Sequence, residues 1–207
     1  MQSDVIVYIV DDAAGVRHSL GLLIQSVELK TEPYTSAQEF LEGYDSSKPG
    51  CLVLDIRMPE MSGLELMEKL HENNIQIPVI IVTGHGDTSL AVRAMKAGAI
   101  DFIEKPFNDQ LLLDSVSKAV DKGMDMFKAQ QDCVDFIARV KKLSPREQEV
   151  MDLMAEGKGA KEVGVVLGIS SKTVDVHRGH ILDKMQVKSV PELVRLVVMH
   201  SDYAFRC

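Results

Sequence analysis

The sequence lacks any apolar stretch approaching the ~20 residues needed to cross a bilayer, so a spanning helix and a membrane partner are not expected. It also lacks an N-terminal basic region followed by an apolar core, so no secretory signal is expected. Cysteine is scarce, with Cys51, Cys133 and Cys207 scattered and odd in number. No Cys-x-x-Cys pair occurs, so neither a disulfide framework nor a zinc site is supported, and a reducing, cytoplasmic setting is the simplest reading. No internal repeat or low-complexity tract stands out.

What is present is an ordinary globular composition. The 207 residues are 45% apolar and 26% charged, enough for a sizeable core and for one or two domains. The net charge of −8 hides an asymmetry. Residues 141–207 carry 11 Lys and Arg against 9 Asp and Glu, whereas residues 1–140 carry 12 against 22. An acidic front half is thus followed by a mildly basic tail that could meet nucleic acid, although an excess of +2 carries little weight alone.

Short apolar runs at 5–10, 29–34, 51–55, 79–82 and 100–104 alternate with amphipathic segments at 14–26, 36–43, 63–72, 88–97 and 108–122. This β-α alternation predicts a five-stranded parallel sheet with right-handed crossovers and helices on both faces. Ser36 with Glu39 reads as a capping box, and Pro59, Gly63 and Gly98 fall at loops or helix ends, where fixed or positive φ is useful. Ligand sites in such sheets lie at the carboxyl ends of the strands. There the sequence places Asp11 and Asp12 after the first run, Asp55 at the end of the third, Thr83 after the fourth and Lys105-Pro106 after the fifth.

Carboxylates brought together repel one another unless a cation sits among them. Oxygen-only ligands suit Mg²⁺ (or Mn²⁺), which keeps part of its water shell and favours carboxylate with phosphate. With charge balanced in this way, Asp55 can act as a nucleophile toward a phosphoryl group. Lys105 is placed to pair with phosphate oxygens, and Pro106 could enforce the turn through a cis bond. Thr83 can hydrogen-bond the modified carboxylate, and Phe102 can then repack as Thr83 is drawn inward, giving a two-state switch.

A second unit begins at Leu143-Ser144-Pro145-Arg146-Glu147. Ser144 as N-cap, Pro145 at the first helical position and Glu147 at the third make a strong helix start. Val150, Leu153 and Met154 supply an apolar face, and Gly157 ends the helix. Helices follow at 160–167, 171–185 and 191–200. Those at 160–167 and 171–185, joined by a short Gly-containing turn, are a helix-turn-helix signature. The segment 109–142 is helical but increasingly polar, so 124–142 is expected to be a helical linker rather than packed core.

Asp11-Asp12, Asp55, Thr83 and Lys105-Pro106 together resemble the set of a response-regulator receiver domain. The tail resembles a NarL/LuxR-type helix-turn-helix in Leu-Ser-Pro-Arg-Glu (143–147) and Thr-Val-Asp-Val-His-Arg (173–178). The stretches 83–87, 95–99 and 101–107 are most similar to the FixJ subfamily. The resemblance implies a flavodoxin/CheY-like (βα)5 receiver at 1–123, a linker at 124–142 and an all-α four-helix DNA-binding domain at 143–207. It also implies phosphotransfer from a sensor histidine kinase to Asp55, metal ligation by Asp11, Asp12, Asp55 and the backbone carbonyl of Arg57, and tuning of dephosphorylation by the Arg57 side chain. Further implied are homodimerisation through about 88–106 on phosphorylation, binding of double-stranded promoter DNA, contact with RNA polymerase, and no enzyme activity beyond slow self-dephosphorylation.

In the tail, residues 171–185 form the expected recognition helix, with Val174, Ile181 and His177 inward. Lys172, Thr173 and Arg178 are phosphate or base candidates, Val176 a candidate for a thymine methyl and Asp175 for cytosine. His180 lies early enough to reach DNA, and Lys161, Lys184 and Lys188 are expected to position the DNA backbone. The tail departs from many NarL/LuxR sequences: Asp175 and Gly179 stand where basic residues are common, Ala160 precedes Lys161 in place of Asn, and Gly164 replaces Ala. His85 reads as a loop histidine modulating access to the pocket, and Met58, Met61, Met67 and Met95 as core or loop filler. Two alternatives stay open: a metal-dependent phosphohydrolase, disfavoured because Arg57 occupies the place of its second Asp, and a scaffold that binds DNA constitutively.

Overall fold

The computed structural model describes residues 5–84 and 88–201, and the chain divides into two compact units, Met1–Lys128 and Ala129–Cys207. No helix among the described residues is long and apolar enough to cross a membrane.

In the first unit β1 (Ile6–Val10), β2 (Lys30–Tyr34), β3 (Gly50–Leu54), β4 (Val79–Thr83) and β5 (Asp101–Glu104) alternate with α1 (Ala14–Gln25), α2 (Ala37–Gly43), α3 (Gly63–Glu72), α4 (Thr88–Lys96) and the first part of α5 (Asp109–Val140). The strands form one parallel sheet in the order β2-β1-β3-β4-β5. β1, β3 and β4 are buried along their whole length, which is why they read as unbroken apolar runs rather than alternating ones. Their side chains part to opposite faces with the strand period of two. Tyr8, Leu52, Leu54 and Ile81 join Phe40, Leu66 and Ala94 on one face. Val7, Ile9, Val53, Ile80 and Val82 join Leu20, Ile24, Leu112 and Val116 on the other. β2 is the edge strand and tolerates Pro33 for that reason.

Three local details refine the sequence reading. Ser36 caps α2 by accepting from the Glu39 N–H at 3.1 Å, but the Glu39 carboxylate turns to Thr35 N and Oγ1, both at 2.6 Å, so the reciprocal half of the expected capping box is made one residue earlier. Gly98 has φ +97° as its position suggests. Gly63 is needed for a different reason: a Cβ there would lie 2.3 Å from the Asp55 carbonyl oxygen, so only glycine lets α3 start against that loop.

α5 is continuous over 32 residues. The expected linker is therefore helical, yet its later part is not free of core. Phe136 is buried and Ile137 and Val140 pack beside it in the second unit's cluster, an apolar spacing of one and four residues that the surrounding charge obscured. That unit continues as α6 (Pro145–Ala155), α7 (Ala160–Leu167), α8 (Ser171–Met185) and α9 (Val190–Ser201). Val150, Met151, Met154, Val163, Val174, Ile181, Met185 and Leu193 complete its core. Ser144 and Glu147 make the reciprocal capping box at α6, with Pro145 following. Gly164 also has a steric reason: a Cβ would sit 2.7 Å from the Ile169 carbonyl oxygen, so alanine would crowd the turn between α7 and α8.

Cys51 is a buried free thiol. Cys133 is buried, and Cys207 lies outside the described residues. Met67 is core, Met58 and Met61 pack against it, and Met95 is instead about half exposed, at 49%.

Candidate functional site

The carboxyl end of the sheet assembles the first site. Asp11 and Asp55 are the residues directly after β1 and β3, Thr83 is the last of β4 and Lys105 the first after β5. The Asp55 N–H donates to the Val10 carbonyl at 2.9 Å, tying the two acidic strand ends together. The Lys105 ammonium donates to Asp11 Oδ2 at 2.7 Å and to Asp55 Oδ1 at 3.4 Å. Each carboxylate's other oxygen is held by backbone: Asp11 Oδ1 accepts from Ala13 N at 2.9 Å and Asp55 Oδ2 from Arg57 N at 2.8 Å. The Lys105–Pro106 peptide is cis, and Lys105 N donates to the Thr83 carbonyl at 2.8 Å.

Electrostatics follow from this packing. Asp11, Asp55 and Thr83 are buried. Burial pushes the Asp55 carboxyl above its ordinary value, Lys105 pulls it down, and the Asp11 charge adds to the rise. The pocket thus concentrates negative charge at low solvation and balances it with one mobile cation. Asp12 is exposed, and among the described residues no three acidic, His or Cys side chains converge into a ready cage. The donor chemistry, all oxygen and already sharing a cation, nevertheless fits a divalent ion of the Mg²⁺ type. Phe102 is half-buried against the core that includes Ile81, its cross-strand neighbour. Arg57 is exposed, and His85 lies outside the described residues. Sequence reasoning missed Arg17, whose Nη1 donates to the Asp11 carbonyl at 2.6 Å and steadies the acidic loop from α1. A basic residue one turn into α1 was its only signal.

The second site is the helix-turn-helix. Val174 and Ile181 are buried and His177 half-buried, as the helical period requires, while Lys161, Lys172, Thr173, Asp175, Val176, Arg178 and His180 are exposed. Ser170 caps α8 by accepting from Thr173 N at 3.0 Å, and its hydroxyl also bonds Thr173 Oγ1 at 2.8 Å. Asp175 lies 4.0 Å from Arg178 and partly offsets its charge. Lys184 does not stand with the exposed set: its ammonium donates to buried Glu147 at 2.7 Å. Glu147 is thereby held at a pKa of about 2, the Lys184 bond being the largest cause and the Ser144 N–H the next.

An acidic, lysine-bridged pocket at strand ends and a separate helix-turn-helix define a signal receiver joined to a DNA-binding output unit. Comparison with known proteins gives the same division. Residues 7–117 match the family described as response regulator receiver domain, and residues 141–197 match bacterial regulatory proteins of the luxR family. Nodulation protein W of Bradyrhizobium diazoefficiens is 43% identical over 92% of this chain and 84% of its own length. The transcriptional regulatory protein FixJ of Rhizobium meliloti is 41% identical over 95% and 96%. Among solved structures, the response regulator StyR superposes with a TM-score of 0.81 at 40% identity, covering 94% of this chain and 98% of that one. Full-length FixJ from B. japonicum gives 0.56 at 37% identity, covering 98% and 99%. The chain belongs to the two-component response regulators, in the FixJ subfamily with its LuxR-type output domain, and is a transcriptional regulator.

Proposed function

We propose that Asp55 is the phosphoacceptor through which a sensor histidine kinase controls this regulator. The observation that carries the reading is the Lys105 ammonium shared between Asp11 Oδ2 and Asp55 Oδ1, because it stands a cation beside the Asp55 oxygen that would carry the phosphoryl group. Asp55 Oδ2 stays bound to Arg57 N, so Oδ1 supplies the electron pair that attacks phosphorus. The bond from phosphorus to the donor nitrogen breaks, its electron pair leaves with the kinase histidine, and the new acyl phosphate is paired by Lys105. Asp11, Asp12, Asp55 and the Arg57 carbonyl would hold Mg²⁺ or Mn²⁺, which supplies charge neutralisation on the phosphoryl oxygens. Slow self-hydrolysis is the only turnover.

Thr83 and Phe102 form the switch in this reading: the hydroxyl bonds the phosphoryl group and the aromatic ring follows inward. The face of α4 and β5 then pairs two copies. Val92 and Met95, 47% and 49% exposed on α4, support that assignment. The paired tails engage double-stranded promoter DNA through α8, with Lys161, Lys172, Thr173, Asp175, Val176, Arg178 and His180 as contacts, and RNA polymerase is the downstream partner. Intact-mass measurement after incubation with acetyl phosphate and Mg²⁺ tests the nucleophile. Wild-type protein gains one phosphoryl group and Asp55→Asn gains none. Equal incorporation in Asp55→Asn would sink the assignment.

A further inference from the structure

The first turn of α6 holds both helices of the helix-turn-helix. Arg146 Nη2 donates to the carbonyl of Leu167, the last residue of α7, at 2.5 Å. Its neighbour Glu147 takes α8: Oε2 accepts from Lys184 Nζ at 2.7 Å while Oε1 lies 3.8 Å from His180 Nδ1. His180 and Lys184 are one turn apart and share a face of α8. The Glu147 side chain is 5% exposed, and its carboxylate also accepts from Ser144 N at 2.7 Å, so the capping box fixes the anion that grips Lys184. We infer that Arg146 and Glu147 are positioning residues for DNA recognition, and that Lys184 serves recognition by anchoring α8 to α6 rather than by touching a phosphate. This rests on the reading of the tail as a DNA-binding unit.

Geometry makes the anchor consequential. Lys184 lies eleven residues from Thr173, about 16 Å along α8 at 1.5 Å per residue. A tilt of about 10° at the anchor moves the exposed N-terminal end by about 3 Å, the length of a hydrogen bond to a base edge. Charge also favours the anchor. A buried carboxylate left without a cation is costly, so Lys184 stays with Glu147 instead of leaving for a solvated phosphate.

Glu147→Gln isolates the effect, because glutamine keeps the capping box but loses the ion pair. The full-length chain, with and without acetyl phosphate and Mg²⁺, is titrated against two duplexes. One is the fragment that the wild type enriches most from a random-sequence library; the other is a shuffled duplex of the same composition. The expected result is a specific-to-shuffled affinity ratio lowered roughly tenfold in Glu147→Gln and in Lys184→Met, about the loss of one good base contact, with shuffled binding retained. Lys184→Arg, which preserves the pair, keeps the wild-type ratio. A mere loss of folded protein would lower both affinities together. An unchanged ratio in Glu147→Gln overturns the inference. So does a Lys184→Met variant that weakens both duplexes equally with a salt slope smaller by about one, the mark of a phosphate contact. If the wild type binds neither duplex, the DNA-binding reading fails and takes the inference with it.

Discussion

At the scale of single residues, Lys105 sits between two acids. Lys105 is the largest influence lowering the Asp55 pKa against burial and the Asp11 charge. In Lys105→Met the Asp55 carboxylate should take up a proton at a higher pH. The acid limb of acetyl-phosphate incorporation then moves to higher pH and the rate near neutrality falls roughly a hundredfold, as for loss of one charge-stabilising group. A pH–rate series by intact mass checks both. Glu147 carries a separate signature. Its ordinary value of 4.5 is lowered to about 2 in the folded unit, so its stabilising contribution is complete above about 4.5 and is lost as pH falls from there toward 2. Urea unfolding across that window should show an acid-side decline that is shallower in Glu147→Gln.

At the scale of elements, strand ends were legible because an apolar run has a visible last residue. Asp55, Thr83 and Lys105 therefore mark the pocket in the sequence itself. Long-range partners were not. Lys184 reads as a surface lysine near its helix end, and nothing local reports a carboxylate 37 positions away. Asp12 looks equivalent to Asp11 in sequence, yet only Asp11 is turned into the buried side of the loop. Phe136 was hidden by the charge of the segment around it, although its cluster shows it as core. Gly63 was read for backbone freedom, while the structure uses it for close approach to the Asp55 carbonyl. Gly63→Ala should accordingly destabilise the first unit by about 3 kcal/mol, since the clash is with backbone and must move the α3 start. Denaturant melts of the wild type and Gly63→Ala measure it, and a loss under about 0.5 kcal/mol, the range of neutral surface changes, would show that the loop yields freely.

At the scale of the whole molecule, an acidic receiver unit precedes a mildly basic LuxR-type output unit. The weak positive balance of residues 141–207, with Asp175 beside Arg178, leaves little non-specific attraction. Output should therefore depend on pairing two tails rather than on one tail's charge. The measurement that goes most directly to this is the affinity of the full-length chain for its most enriched library fragment, by fluorescence anisotropy, before and after acetyl phosphate with Mg²⁺. Phosphorylation at Asp55 should tighten binding at least tenfold, as expected for a second tail engaging the same duplex, and Asp55→Asn should show no change. Equal affinity with and without phosphodonor in the wild type would contradict control through Asp55.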